Sequence, residues 1–369
     1  MPEIQKSRPL DLSPGKFDMR STTPRRYRPY GQRYVMDLGT LTERLRLLIS
    51  RHVGDDVELL ALALLEEGHA GLTFGFSIRL SDGTVTPFVL KLAPFGVKRQ
   101  GNTDVYRQAP LLRALHAAGL PAPNVPWASA DESDLGTPFI VMERLPGRTF
   151  IIWEPHASFD LAEDRVAALW TQAAAALARL HAFDWRGSLR DWEQPRPLAA
   201  ELAYWAPILA KAPEDHWLQQ GRALADALAA RIPNGGPIGI VHGDYQPGNL
   251  LFDDGRLTGI IDWELASIGA QALDLGWLAM MADPHCWDTG WQPHVGIERD
   301  ALITLYEEAR GARVAAIDWF QALACYRMGA IACLNVRLHR TGRRIDPLWD
   351  RFAPSITTLF SRGRDLAGR

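Results

Sequence analysis

The sequence predicts an α+β protein whose first part is strand-rich and whose larger second part is mainly helical. Three observations carry that expectation. Short apolar runs at 57–65, 74–80, 88–92 and 139–142 are set off by Gly, Pro and acidic residues, as strands are. Longer segments at 164–183, 198–209 and 218–232 repeat apolar residues at helical spacing. Inside the helical part, residues 239–264 read as strand, loop and hairpin, and place Asp244, Asn249 and Asp262 in one short stretch.

The first 36 residues carry eight Lys or Arg against three Asp or Glu, with five prolines and no apolar face. They read as an extended basic arm. Its charge suits RNA, acidic lipid or a partner subunit, and a solvated tail with no specific role is the plainer alternative. Residues 37–145 follow as the strand-rich division. Leu41, Leu45, Leu48 and Ile49 share one helical face, with Thr40 as the expected N-cap. Residues 57–80 then read as strand, loop, strand. Gly68 and Gly71 in that loop can bring backbone amides close to a triphosphate, or simply turn a hairpin.

Lys91 stands in the apolar strand Phe88-Val89-Leu90-Lys91-Leu92, and a lysine so placed needs an anionic partner. The alternative is an edge lysine that keeps the sheet from pairing elsewhere. Phe139 to Met142 forms the next strand. It leads into Glu143-Arg144-Leu145-Pro146-Gly147, a connector marked by Pro and Gly.

Residues 146–369 make the helical division. Val166, Leu169, Trp170, Ala173, Leu177 and Leu180 form one apolar face of a core helix, ended by His181 as a cap or core contact. Trp192, Trp205 and Trp217 line a pocket or, as aromatics at helical spacing usually do, fill the core. The strand Ile238 to Val241 delivers Asp244 into a loop. Leu250 to Phe252 and Leu257 to Ile261 pair as a hairpin turned by Asp253-Asp254-Gly255. Asp274 is expected to cap a helix over 275–281 and to brace the preceding loop. Residues 283–299 are expected as a mobile loop over an acceptor.

This spacing suits phosphoryl transfer, in which the protein mostly positions the acceptor and neutralises phosphate charge. Mg²⁺ takes oxygen ligands and is usually held by one or two carboxylates plus the nucleotide phosphates, a role that fits Asn249 and Asp262. Asp244, five residues before Asn249, is the catalytic base. Glu264 is left to contact a second metal, an acceptor amine or nothing. His242 braces the loop through a backbone hydrogen bond rather than moving protons. The simpler alternative is a hairpin whose polar residues only cap and turn it.

His242-Gly243-Asp244, Asn249 and Ile261-Asp262-Trp263-Glu264 resemble the signature of the aminoglycoside phosphotransferase and choline kinase-like family. The resemblance runs from about residue 60 to 280 and is nearest to the branch that stands alone or is joined to acyl-CoA dehydrogenases. It implies a protein-kinase-like two-lobed fold, with a small β-rich N-lobe and a larger helical C-lobe, and ATP- and Mg-dependent phosphorylation of a small molecule, with GTP as the alternative donor. Lys91 would then hold the α and β phosphates. Met142, Glu143 and Arg144 would form the hinge at the nucleotide base, although Glu143 serves equally as an exposed connector charge. The family pairs the lysine with a Glu on the following helix, at positions that align with Tyr106 or Gln108. Neither is acidic, which leaves Asp104 or Gln108 as the expected partner.

With 47% hydrophobic and 22% charged residues the composition is that of an ordinary globular chain, and a net charge of -3 offers no global basic field for nucleic acid. Three cysteines without metal-ligand spacing favour a reducing compartment, and no apolar run reaches membrane-span length. The chain is expected to be soluble and cytoplasmic, with its oligomeric state left open. Residues 326–369 carry nine Arg and three Asp, a balance of +6. Beside the acceptor this favours a neutral or anionic hydroxylated small molecule over a polycation; otherwise it is an exposed arginine face. Two function classes follow: a small-molecule O-phosphotransferase, and a non-catalytic nucleotide-binding module that partners a lipid or acyl-CoA enzyme.

Overall fold

The computed structural model describes residues 37–65 and 72–368. The basic arm, Gly68 and Gly71 lie outside the described residues. The N-terminal part begins with α1 (Leu38–Val53), followed by β1 (Glu58–Leu64), β2 (Leu72–Arg79) and β3 (Val85–Leu92). Then come α2 (Gln108–Ala117), β4 (Trp127–Ser129) and β5 (Phe139–Glu143). The five strands form one antiparallel sheet in the order β1-β2-β3-β5-β4. Leu41, Leu45, Leu48 and Ile49 bury their helical stripe in a core with Phe74, Phe76, Phe88 and Leu90, which is why that spacing is helical. The cap differs from expectation. Asp37, three residues upstream, accepts the Thr40 N–H at 3.2 Å, because the shorter acid reaches the first turn from outside it.

The remainder is a helical lobe with two small sheets. After β6 (Arg148–Thr149) come α3 (Glu163–Ala182), α4 (Trp185–Ser188), α5 (Leu198–Tyr204), α6 (Ala206–Leu209) and α7 (Asp215–Ala229). The strands β7 (Ile238–Val241), β8 (Leu250–Asp253), β9 (Arg256–Ile260) and β10 (Ser267–Ala270) precede α8 (Ala272–Ala282), α9 (Arg299–Arg310), α10 (Ile317–Arg340), α11 (Leu348–Phe352) and α12 (Pro354–Ala367). The sheets are β6-β8-β9 and β10-β7. The hairpin turns as its residues require: Asp254 and Gly255 have φ of 47° and 72°, the pair of left-handed positions that a two-residue hairpin loop needs. Residues 198–209 do not form one helix. Pro207 has no N–H to continue the ladder, so the chain breaks at Trp205 into α5 and α6.

Two helical cores meet behind the hairpin. Trp170, Leu177, Tyr245, Trp263 and Leu275 share one with Leu111, Leu112 and Leu115 of α2. Leu224, Trp277, Phe320, Ala330 and Phe360 lie in the other, where α10 packs on both α8 and α12. Residues 283–299 depart from the mobile cover expected of them. Cys286 and Trp287 are buried, Trp287 lies edge-on to Trp153, and the Asp283 carboxylate accepts from Arg362 and Gln321, each at 2.8 Å. Apolar and ionic contacts therefore pin that loop. No described helix is long and apolar enough to cross a membrane.

Candidate active site

The site forms where β3 of the first sheet faces the β7–β9 region. β7 buries Ile240 and Val241, and the chain then turns sharply at Gly243, whose φ is 84°. A side chain there would meet the Leu265 carbonyl at well under contact distance, so both conformation and space require glycine. The turn is held from below by Asp274. Its carboxylate accepts the backbone N–H of His242 at 2.7 Å and of Gly243 at 2.8 Å. Burial alone would raise its pKa, but the hydrogen bonds from the His181 side chain and the His242 backbone help to hold it below the usual carboxylate range. His181 Nε2 donates to Asp274 at 3.4 Å, which leaves Nδ1 to accept from the Tyr306 hydroxyl at 2.6 Å. Asp274 braces the loop as expected but does not cap: α8 begins at Ala272, with Asp274 inside its first turn.

His242 is a brace as well. Its Nε2 donates to the Ile261 carbonyl at 2.9 Å, and its Nδ1 accepts the Asp244 N–H at 3.2 Å. Burial pushes its pKa down and keeps the ring neutral, with the proton on Nε2. One imidazole thus ties the Asp244 loop to the end of the hairpin.

Asp244 accepts from Asn249 Nδ2 at 2.9 Å and from Gln246 Nε2 at 2.8 Å. Its pKa is nevertheless raised to about 7, first by burial and then by the negative charge of Asp262. Asn249 is fixed by a second bond from Nδ2 to the Asp244 carbonyl, and its own carbonyl accepts from Ile261 N, each at 2.9 Å. Its amide is turned so that nitrogen faces Asp244 and the side-chain oxygen is left as a donor to a cation. Asp262 adopts φ 63° and ψ 59°, a left-handed backbone that costs a non-glycine residue roughly 1–2 kcal/mol. Strain of that kind persists where the surroundings over-determine it, commonly at functional sites.

Lys91 reaches this cluster from the other lobe. Its register on β3, opposite Thr73 and Ile140, sends its ammonium to Asp262 Oδ1 at 3.1 Å and to Glu264 Oε2 at 3.5 Å. Burial would lower its pKa, but the two carboxylates outweigh that and hold the lysine charged. Glu264 is pushed up to about 7, by burial and then by Asp262, with Lys91 pulling the other way. The partner expected on the following helix is therefore corrected. Asp104 accepts from Arg107 N, Gln108 makes no hydrogen bond to Lys91, and the lysine is satisfied by Asp262 and Glu264. Glu264 takes up the cation that neither Tyr106 nor Gln108 has the charge to hold.

Met142 and Glu143 close β5 and Arg144 follows it, with Arg144 N bonded to the Pro87 carbonyl at 3.2 Å and Glu143 N to that of Asn124 at 2.9 Å. Trp205 lines a cavity beside the loop, whereas Trp217 is core and Trp192 donates from Nε1 to the Arg107 carbonyl at 2.7 Å. Sequence reasoning did not single out Arg107, Arg196, Glu201 or Arg327, which line that cavity with Trp205. For Arg327 a signal existed, since it stands alone among the apolar residues 322–333 of α10. Among the described residues no three His, Cys, Asp or Glu side chains are arranged to hold a metal by themselves. The donor set of one carboxamide oxygen and one or two carboxylates fits Mg²⁺, which shares its coordination with phosphates and water.

The model of the phosphotransferase enzyme family matches residues 71–316. Mouse acyl-CoA dehydrogenase family member 10 is 27% identical over 254 residues, covering 68% of this chain and 23% of that protein. The chain thus spans about a quarter of that relative's length. A candidate aminoglycoside phosphotransferase from Ralstonia eutropha superposes with a TM-score of 0.71 at 20% identity, over 89% of this chain and 98% of that one. A thermostable mutant of the aminoglycoside phosphotransferase APH(4)-Ia, solved with AMP-PNP and hygromycin B, gives 0.57 at 16% identity, over 88% and 99%. At these identities the two structures show the fold: a small antiparallel sheet lobe on a helical, kinase-like body.

Proposed function

The chain belongs to the phosphotransferase enzyme family, and from that premise we propose that it transfers the terminal phosphoryl group of ATP to a hydroxyl of a small molecule. The observation that carries this reading is the meeting of Lys91, from the sheet lobe, with Asp262 at 3.1 Å, beside an Asp244 whose carboxyl titrates at about 7. A base poised near the working pH is best suited to take a proton from an alcohol as it attacks. In this scheme the acceptor oxygen bonds to the terminal phosphorus, the bond from that phosphorus to the bridging oxygen breaks, ADP leaves, and the hydroxyl proton passes to Asp244.

Asn249 and Asp262 would hold Mg²⁺, which supplies charge neutralisation at the phosphate oxygens when bound. Lys91 would move its ammonium from Asp262 and Glu264 to the α and β phosphates, and the end of β5 with the residue after it, Met142 to Arg144, would meet the nucleotide base. ATP is supported as donor by the AMP-PNP complex of the structural neighbour. The test is melting with ATP or GTP, each with and without Mg²⁺, followed by ADP release with hydroxylated acceptors. A nucleotide at about 100 times its dissociation constant adds roughly 2.7 kcal/mol. A rise in melting temperature that needs Mg²⁺ and is lost in Asp262→Ala is expected. No rise with either nucleotide, or full turnover by Asp244→Ala, would sink the proposal.

A further inference from the structure

Arg327 is a buried charge with no part in the transfer scheme above. It comes from within α10, is 3% exposed, and lies 4.9 Å from the ring centres of both Trp205 and Trp277. Its helix neighbours Cys325, Tyr326 and Ala330 belong to the helical core. A guanidinium in such a place gives up water at a cost of free energy. Its Nε is buried without a hydrogen bond among the described residues, and Glu201 Oε1 balances the charge from 3.8 Å, too far for a direct bond. An apolar side chain of similar volume would fill the space between the two indoles without that cost. What an apolar side chain would not supply is the bond from Arg327 Nη2 to the Gly243 carbonyl, at 2.7 Å.

The Gly243 carbonyl and the Asp244 N–H belong to one planar peptide unit. Arg327 holds its oxygen end, and His242 Nδ1 accepts from its nitrogen end at 3.2 Å. The two N–H groups before it, of His242 and Gly243, go to Asp274. Side chains therefore satisfy the backbone of this turn where no ladder does. Asp274 fixes only the peptide ahead of Gly243, and glycine places little restraint on the rotation that orients the next one. Arg327 stops that rotation from a separate helix. A planar peptide gripped at both ends sets the direction in which the following Cα sends its side chain, and that side chain is the Asp244 carboxylate.

We propose that Arg327 is a positioning residue for phosphoryl transfer, which holds the Gly243 carbonyl so that the Asp244 carboxylate meets the acceptor hydroxyl, while touching neither acceptor nor nucleotide. The inference rests on the phosphotransferase reading. It differs from a purely structural role, in which Arg327 serves only to neutralise Glu201 inside the core. The two roles part when both charges are removed together, because that repairs the core and leaves the Gly243 carbonyl without its donor.

The test compares Arg327→Met with the double variant Arg327→Met, Glu201→Gln in the full chain. The single variant strands the Glu201 carboxylate and is expected to melt lower. In the double variant the Gln amide still accepts from Trp205 Nε1, and Arg196, 38% exposed, turns to solvent. It is expected to melt within about 3 °C of the parent and to keep the rise given by ATP with Mg²⁺. Its ADP release, to water or to a hydroxylated acceptor, is expected to be about a hundredfold lower, the effect of a small misplacement of a reacting group. Amide hydrogen exchange at residues 242–244 is expected to be about tenfold faster, with the β8–β9 hairpin unchanged. ADP release that returns with the melting temperature would make Arg327 only a partner for Glu201 and overturn the inference. Unaltered exchange at 242–244, or loss of the nucleotide-dependent rise, would overturn it as well. In each of these cases the parent's own response to ATP stands, so only this inference is removed. A parent with no nucleotide-dependent rise removes the phosphotransferase reading, and with it anything for Arg327 to position.

Discussion

Asp244→Asn separates the energetic consequence of a raised pKa from its catalytic use. The carboxyl titrates at 3.8 when solvated and at about 7 in the folded chain. That gap is roughly three pH units at about 1.36 kcal/mol each, or roughly 4 kcal/mol. Because Asp244 is only half-buried, solvent screening reduces this to about 2–3 kcal/mol. The sign follows from proton counting. Below 3.8 both states bind the proton and nothing is lost. Between 3.8 and about 7 the unfolded chain releases it while the folded one keeps it, so stability falls as pH rises through that window, and above about 7 the loss is complete. Asn carries no charge and escapes the loss.

The same substitution gives up one of two accepted hydrogen bonds, from Gln246 and Asn249, at about 1 kcal/mol at every pH. Urea unfolding of both proteins in EDTA should therefore show the variant about 1 kcal/mol less stable at pH 4 and about 1–2 kcal/mol more stable at pH 8.5. The variant should also release no ADP. A stability difference that does not change between those pH values would show that Asp244 titrates as an ordinary surface acid, and the argument for a tuned base would fall with it.

Other perturbations address the supports of the site. Lys91→Met removes the ammonium that Asp262 and Glu264 share; at pH 8 it should cost about 3 kcal/mol in urea unfolding and abolish the nucleotide-dependent rise in melting temperature. Asp274→Asn can accept only one of the His242 and Gly243 N–H groups well, so stability should drop by roughly 2–4 kcal/mol. ADP release should fall further than nucleotide affinity does, as measured by melting against ATP and Mg²⁺. Gly243→Ala forces a side chain into the Leu265 carbonyl at a positive φ. It should lose ADP release and cost about 1–3 kcal/mol, while an unaltered melting curve would show that the turn is not as confined as its geometry indicates.

Local sequence determined the elements that depend on local physics. Short apolar runs bounded by Gly, Pro and acidic residues made β3 and β5 legible, the Asp254-Gly255 turn specified its hairpin, and the face from Leu41 to Ile49 declared itself a buried helix stripe. Asp244, Asn249 and Asp262 were legible together because a short strand, a loop and a hairpin return the chain to one place within about two dozen residues. Where expectation and structure part, the deciding contact is distant in sequence. Lys91 chose Asp262 and Glu264, 171 and 173 residues away, over the nearer Asp104 and Gln108. The segment 283–299 is rich in the residues of a mobile loop, yet Trp287 and Asp283 anchor it to Trp153, Gln321 and Arg362. The cavity is the furthest case, since Arg107, Arg196, Glu201 and Arg327 come from the residue just before α2, the segment before α5, α5 itself and α10. A buried charge needs a partner, and the sequence by itself can declare that need. Which partner answers it depends on how separate elements pack, and that only the tertiary structure decided.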